Sequence, residues 1–225
     1  MISFTTILLA SAAVTISLAV PLDDGELINR IPDFDFSELG SNLTRRQTYS
    51  TDYTTGGTVN YSPGALGQYS VTFSQANDFV VGKGWNPGNT SPITYSGSFS
   101  ATSGTVSLQI YGWTTNPLVE YYVVENYYPS APSASVKGTV SSDGGNYNIY
   151  ASQKMNQPSI QGTANFLQIK SVRTSPRSSG TVTTANHFDA WKGLGLGLGT
   201  LNLQVVAVEG YSKASGSVTM NLGYA

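Results

Sequence analysis

Two glutamates stand inside apolar, strand-like stretches of the chain. Glu120 lies in Pro117-Leu118-Val119-Glu120-Tyr121-Tyr122-Val123-Val124, and Glu209 lies in Val205-Val206-Ala207-Val208-Glu209-Gly210-Tyr211. A carboxyl in the middle of a sheet loses hydration, which raises its pKa and suits it to proton transfer. Glycoside cleavage uses such a pair, with one carboxyl as nucleophile or base and the other as acid. The alternative for each glutamate is a structural ion pair with Arg or Lys.

Other kinds of catalytic centre lack their residues. The chain has no Cys and a single histidine, His187. A Ser-His-Asp triad would have to use this histidine, which falls in an amphipathic segment where packing or a hydrogen bond is the favoured interpretation. Because the usual metal ligands are missing, we expect no metal site and no cofactor.

The composition is that of an all-β protein. Of 225 residues only 11% are charged, while 24 are Gly and 14 are Tyr. These values exclude a coiled coil or helical bundle, and the lack of Cys excludes a disulfide scaffold. A net charge of -2 removes the electrostatic argument for nucleic-acid binding.

The first 46 residues are predicted to be absent from the mature protein. Residues 2–20 are apolar but too short and too rich in Ser and Thr to span a membrane, and Ser17-Leu18-Ala19 resembles a cleavage site. We therefore predict a signal peptide at 1–19; a buried N-terminal helix is the alternative. Residues 20–46 are acidic and end in Arg45-Arg46, which indicates a propeptide. The domain at 47–225 is expected to be secreted and extracellular, without membrane association.

Strand-like runs recur along this domain, with turn residues such as Asp143-Gly144-Gly145 between them. The predicted strands are 67–74, 79–85, 93–100, 105–114, 119–127, 134–141, 146–152, 163–172, 201–211 and 215–224. This pattern favours a β-sandwich or jelly roll. One segment, 183–192, has helical spacing; Thr183 or Thr184 can cap it and Gly193 can end it. We expect this helix to pack on the outside of a sheet.

Strand parity places aromatic and acidic residues on the same face. In 105–114 the residues Ser107, Gln109, Tyr111 and Trp113 alternate with an apolar set, and elsewhere Glu120 shares a face with Tyr122. Sugar rings pack on aromatic rings while their hydroxyls bind nearby polar groups, so such a face suits a carbohydrate. A face covered by loops remains the alternative.

Several motifs in a single order resemble glycoside hydrolase family 11, over roughly 47 to 225. The motifs are Gly82-Lys83-Gly84-Trp85-Asn86-Pro87-Gly88, Tyr111-Gly112-Trp113-Thr114, Asn116-Pro117-Leu118-Val119-Glu120-Tyr121-Tyr122, Gln157-Pro158-Ser159-Ile160-Gln161-Gly162-Thr163 and Ala207-Val208-Glu209-Gly210-Tyr211. Thr184-Ala185-Asn186-His187-Phe188 and Trp191 resemble the family's single helix. The resemblance implies a secreted endo-1,4-β-xylanase on a β-jelly roll of two packed antiparallel sheets that form a cleft.

The resemblance also implies roles for individual residues. Glu120 would be the nucleophile, and Glu209 the general acid and then the base. Tyr111 and Tyr122 would form hydrogen bonds around the nucleophile and the adjacent sugar. The other implied contacts are Arg173 with the glycone sugar, Gln168 near the reacting centre, Pro158 at the tip of a thumb hairpin, Tyr53 stacking on a sugar, and Asp78 beside the general acid. Family members with Asp at the position of Asp78 are the acid-active ones, so the resemblance predicts an acidic pH optimum through a coupled carboxyl pair.

Some residues depart from the family pattern. The family usually has an aromatic pair before Ser171-Val172-Arg173, where this chain has Ile169-Lys170. It also has a Tyr in the last catalytic strand, where this chain has Leu203. Loss of aromatic stacking acts mainly on the binding of the sugar chain, and both carboxylates needed for the chemistry remain. Two other functions stay open: a secreted protein that binds wall polysaccharide or acts as an elicitor without hydrolysis, and a β-glucan hydrolase. The expected partner is xylan, with no nucleic acid and no membrane, and the expected state is a monomer.

Overall fold

The computed structural model describes residues 49–131 and 134–225, and the side chains from residue 53 onward within these ranges. The predicted signal peptide at 1–19 and propeptide at 20–46 lie outside the described residues. In the described part of the chain, no helix is long and apolar enough to cross a membrane.

Strands make up most of the described chain, which confirms the prediction of an all-β fold with a single helix among those residues. The elements are β1 Tyr49–Thr55, β2 Thr58–Ser62, β3 Gln68–Trp85, β4 Ile93–Thr115, β5 Val119–Tyr128, β6 Gly138–Ser142, β7 Gly145–Ser159, β8 Gly162–Arg173, β9 Ser179–Val182, α1 Thr184–Gly193 and β10 Thr200–Tyr224. The strands β1, β2 and β9 were not among the predicted runs.

Three long strands bend and take part in both layers of the fold. The runs predicted separately at 67–74 and 79–85 are one strand, β3, and the same is true of β4 and β10. The bends contain positive φ angles at Gln75, Gly104, Ser212 and Lys213. A Cβ on Gly104 would approach the backbone of Ala214 to 2.6 Å, so this bend requires glycine.

The bent strands fold the sheet back on itself. Tyr69 and Val71 from the first half of β3 belong to the same buried cluster as Leu108 and Ile110 from the second half of β4. This packing of two layers confirms the jelly-roll prediction. The strand order is β1-β3-β10-β4-β5-β8-β7-β6, with β2 on β3 and β9 on β4.

One strand pairing departs from the predicted antiparallel sheets. β5 and β8 run parallel, with Glu120 opposite Gln168. The chain leaves β5, forms the antiparallel pair β6–β7, and returns along β8, which is antiparallel to β7 and therefore points the same way as β5. This pairing brings Gln168 to the nucleophile candidate.

The helix α1 packs on the sheet, as expected. Its fully buried residues are Thr184, His187 and Trp191, and Phe188 is partly buried against the same core. Trp191 donates a hydrogen bond from Nε1 to Ser171 Oγ at 2.9 Å. The helix begins after Thr183, whose side chain caps no helix N–H; its backbone N and its Oγ1 donate to the Asp143 carboxylate instead, both at 2.8 Å.

A second carboxylate, Glu125, is buried without a predicted role. Its side chain is 1% exposed and lies at the centre of a polar network. Tyr95 and Tyr147 each donate a hydroxyl proton to it, and the Arg177 guanidinium forms an ion pair with it at 2.5 Å. The network joins β4, β5, β7 and the segment after β8, so we assign it to the stability of the fold.

The buried histidine predicts how stability changes with pH. Burial, and to a lesser extent the charge of Arg173, lowers the pKa of His187 from 6.5 to about 4, although Asp143 opposes this. Because the folded-state pKa lies below the ordinary value, the unfolded chain binds more protons in this window. The stability contribution is complete above pH 6.5 and is lost as the pH falls towards 4, by on the order of 3 kcal/mol.

We therefore expect His187→Phe to flatten the pH dependence of stability between pH 6.5 and 4. Neither ring nitrogen of His187 has a hydrogen-bond partner, so the apolar replacement leaves no donor unpaired. The measurement is the free energy of unfolding in urea at a series of pH values. Parallel curves for the variant and the unmodified protein would show that His187 is not the titrating group.

Candidate active site

One face of the second layer carries the residues singled out from the sequence. Opposite residues of paired strands point to the same side of a sheet. Glu120 is paired with Trp113 of β4, and Glu209 is paired with Ser107 of β4. Together with Gln168, the two glutamates therefore lie on one side of β10, β4, β5 and β8. We call this side the glutamate face.

Hydrogen-bond donors hold both oxygens of Glu120. Tyr111 donates its hydroxyl proton to Oε1 at 3.1 Å, and Gln168 donates from Nε2 to Oε2 at 2.6 Å. Trp113 donates from Nε1 to the Tyr111 hydroxyl at 2.5 Å, which leaves the single proton of that hydroxyl for Glu120. The residue Glu120 is 8% exposed. Each carboxyl oxygen therefore accepts a hydrogen bond, an arrangement that an attacking carboxylate can use.

Glu209 lies in a different environment. Burial raises its pKa, and the negative charges of Glu120 and Asp78 add to this, while the Lys170 ammonium and a hydrogen bond from Gln109 oppose it. The net effect is upward. A carboxyl that keeps its proton suits a general acid. The two glutamates therefore differ in environment in the sense that acid and nucleophile require.

The two tyrosines remain protonated donors. Burial raises the pKa of Tyr111 and Tyr122 well above the ordinary value, and the charges of the glutamates raise both further. Their ring centroids are 5.1 Å apart, and both side chains are almost fully buried. Tyr111 and Tyr122 lie opposite each other on β4 and β5, on the glutamate face.

Lys170 was noted in the sequence only as a departure from the family pattern. Its Nζ lies 4.4 Å from the centroid of the Tyr122 ring, a cation–π contact. It belongs to the glutamate face because β8 places it two residues beyond Gln168. The signal in the sequence was a charged residue at a position where the family pattern has an aromatic one.

Asp78 and Tyr53 lie at the β3 side of the glutamate face. Tyr53 is opposite Val80, which is itself opposite Glu209, and Tyr53 is 49% exposed. Asp78 is two residues before Val80 and opposite Tyr211. Its side chain is largely exposed, and partial burial raises its pKa. Both positions are compatible with the implied roles, which remain predictions.

Pro158 lies near the end of the β7–β8 hairpin. It is opposite Thr163, next to the turn that Ser159 and Gly162 close. Ser159 Oγ donates to Gly162 O at 2.7 Å, and Gly162 has a φ of 84°. This hairpin continues the strands that carry Gln168, so its tip projects from the same part of the sheet.

The implied contact of Arg173 with a sugar is wrong in this structure. Arg173 is five residues beyond Gln168 on β8, so alternation places it on the opposite face. Its guanidinium donates to the Tyr147 hydroxyl at 2.6 Å and to Gly144 O at 3.2 Å. Tyr147 packs edge-on against His187 of α1, so Arg173 belongs to the helix side of the sheet.

Among the described residues, no three His, Cys, Asp or Glu side chains form a group that could hold a metal ion.

Comparison with known proteins agrees with this geometry. The sequence profile of glycosyl hydrolases family 11 matches residues 45–221. The chain belongs to this family. Ethylene-inducing xylanase 2 of Botryotinia fuckeliana is 51% identical over 215 residues, which cover 94% of this chain and 95% of that protein. Endo-1,4-beta-xylanase 1 of Hypocrea jecorina is 47% identical over 229 residues, which cover 99% of each chain.

A solved structure shares the fold. It comes from a structural comparison of two major endo-1,4-beta-xylanases from Trichoderma reesei. The two chains are 52% identical and superpose with a TM-score of 0.75, covering 79% of this chain and 99% of that one.

Proposed function

We propose that this family 11 protein is a secreted endo-1,4-β-xylanase that cleaves internal bonds of xylan with retention of configuration. The observation that carries the proposal is the pair of glutamates on one face with opposite environments. Glu120 is held by two donors, and Glu209 is desolvated. The names of the relatives support xylan as the substrate.

In the first step, the Glu120 carboxylate attacks the anomeric carbon of the sugar while Glu209 gives its proton to the glycosidic oxygen. The bond from that carbon to oxygen breaks, and a glycosyl ester with Glu120 forms. In the second step, the ionised Glu209 takes a proton from water, the water oxygen attacks the same carbon, and Glu120 leaves as a carboxylate. Tyr111 and Gln168 stabilise the charge on Glu120 before and after the ester exists.

The test is the release of reducing ends from xylan and from a soluble β-glucan by the purified protein. The expected result is cleavage of xylan only, with the β-anomer appearing first in a proton NMR time course. Cleavage of the β-glucan alone would show that xylan is not the substrate. If the α-anomer appeared first, the mechanism would be inverting and not retaining. Folded protein that cleaves neither polymer would overturn the enzymatic function.

We also propose that residues 1–19 are a signal peptide and 20–46 a propeptide, supported by the apolar start and by Arg45-Arg46. Secretion from a fungal host followed by N-terminal sequencing should give Gln47 as the first residue. Retention inside the cell, or a secreted protein that keeps residues 20–46, would contradict this assignment.

The proposed acidic optimum depends on a protonated Asp78. An ionised Asp78 raises the pKa of Glu209 and would extend activity towards higher pH. The acidic optimum therefore requires that Asp78 be protonated in the active enzyme. The neutral carboxyl of Asp78 then shares its proton with Glu209. The raised pKa of Asp78 supports this.

We expect Asp78→Asn to move the basic limb of kcat/KM to higher pH, because the amide is neutral at every pH. The measurement is the pH profile on xylan, with Asp189→Asn on the exposed side of α1 as the matched control. A basic limb that moves to lower pH would contradict this. It would show that Asp78 is ionised and acts on Glu209 only through its negative charge, which raises the pKa of Glu209.

A second candidate function is the induction of ethylene, since several relatives are named ethylene-inducing xylanases. Ethylene released from leaf tissue by a folded Glu120→Gln variant would show a signal independent of hydrolysis. A response to the active protein alone would assign it to the cleavage products.

A further inference from the structure

A buried glutamine lies against the general-acid candidate. Gln109 of β4 is 1% exposed, and its Nε2 donates to Oε2 of Glu209 at 2.7 Å. Ser107 Oγ in turn donates to Oε1 of Gln109 at 2.8 Å. The register explains the contact, because Ser107 is opposite Glu209 and Gln109 is opposite Ala207, which lies two residues before Glu209 on the same face. The three side chains form a continuous chain of hydrogen bonds on the glutamate face.

We propose that Gln109 is a positioning residue that decides which oxygen of Glu209 carries the transferable proton. The amide nitrogen can only donate, so the oxygen that it contacts must accept. The carbonyl oxygen of a carboxylic acid accepts a hydrogen bond better than its hydroxyl oxygen does. The bond from Gln109 therefore favours Oε2 as the carbonyl oxygen and Oε1 as the oxygen that carries the proton. That oxygen is the one left to reach the glycosidic oxygen. This inference rests on the proposed function of Glu209 as the general acid.

Ser107 determines the direction of the Gln109 amide. By donating to Oε1 of Gln109, it turns the nitrogen of the amide towards Glu209. This orientation serves both steps of the reaction, since the donor also stabilises the ionised Glu209 that acts as the base. The reversed amide would place a carbonyl against that carboxylate and would hold the acid proton between Gln109 and Oε2, away from the sugar.

Other charges act on Glu209, but none replaces this contact. The ionisable groups that face it are Glu120, Asp78, Lys170, Tyr111 and Tyr122. These groups change how strongly the proton is held. The hydrogen bond to one named oxygen also selects where it is held, so removing Gln109 should lower the rate as well as move the pH profile.

The test compares Gln109→Met and Ser107→Ala with the control Gln68→Met, on the exposed start of β3. For Gln109→Met we expect kcat to fall about tenfold with little change in KM, because the proton is no longer aimed at the sugar. The basic limb of kcat/KM should move to higher pH, since the bond from Gln109 lowers the pKa of Glu209. Ser107→Ala should shift both quantities in the same direction by less, and the control should not change.

An unchanged pH profile in folded Gln109→Met would overturn the inference. So would a basic limb that moves to lower pH, because that sign means that Gln109 accepts the proton. If Gln109→Met does not fold, the test uses Ser107→Ala, which removes only a hydroxyl. The same two results are then read: the fall in kcat and the direction in which the basic limb of kcat/KM moves. A fully active Glu209→Gln variant would overturn both the inference and the proposed role of Glu209. If Glu209→Gln is inactive but the pH profile of Gln109→Met is unchanged, only the inference is overturned.

Discussion

We expect Glu120→Gln to lower kcat on xylan by about four orders of magnitude or more, because it removes the proposed nucleophile. The amide keeps the shape of the side chain but cannot form the glycosyl ester. The loss should be of similar size for every substrate, because each must pass through attack on the same carbon. Initial rates on xylan and on an aryl β-xylobioside measure this.

Glu209→Gln should separate the two substrates instead. Without a proton donor, cleavage of xylan falls by about 10²–10⁴-fold. The aryl group of the β-xylobioside departs without protonation. The rate of the first step on that substrate should therefore fall much less. Asp189→Asn is the control for both variants, since Asp189 is exposed on α1. Equal losses on both substrates for Glu209→Gln would contradict its assignment as the acid.

The second large effect is on stability. Glu125→Ala removes the carboxylate that Tyr95, Tyr147 and Arg177 share and leaves their buried polar atoms without this partner. Breaking one side of a buried ion pair costs about 3–5 kcal/mol. For a domain of this size the expected fall in Tm is about 10 °C. Thermal unfolding followed by circular dichroism measures it, with Asp189→Ala as the matched control.

A companion variant tests the physical cause. If the loss comes from an uncompensated guanidinium, then Glu125→Leu combined with Arg177→Met should be less destabilised than Glu125→Leu alone. A fall of less than about 1 kcal/mol in Glu125→Ala would show that the network contributes no more than an exposed ion pair.

The arrangement of side chains along single strands was predictable from the sequence. Alternation along each strand has a period of two residues, so a local pattern was enough to place Ser107, Gln109, Tyr111 and Trp113 on one face. The same rule applied from Gln168 to Arg173 gives opposite faces. The error at Arg173 therefore came from the resemblance and could have been corrected from the sequence.

Contacts between distant segments could not be predicted in this way. The parallel pairing of β5 with β8 brings Gln168 to Glu120 across 48 residues, and the Gln109–Glu209 contact spans 100. No local preference determines which strands become neighbours, because register and pairing are decided by how the whole core packs. The buried Glu125 network has the same origin, since its members come from four separate segments.

The residue types and their alternation were sufficient for the all-β class, the helix and two glutamates in apolar strands. The folded chain alone shows why these glutamates differ. The charge state of a carboxyl depends on its desolvation and on the donors around it, and the strands that supply Tyr111, Gln168, Gln109 and Lys170 meet only when the sheet has formed.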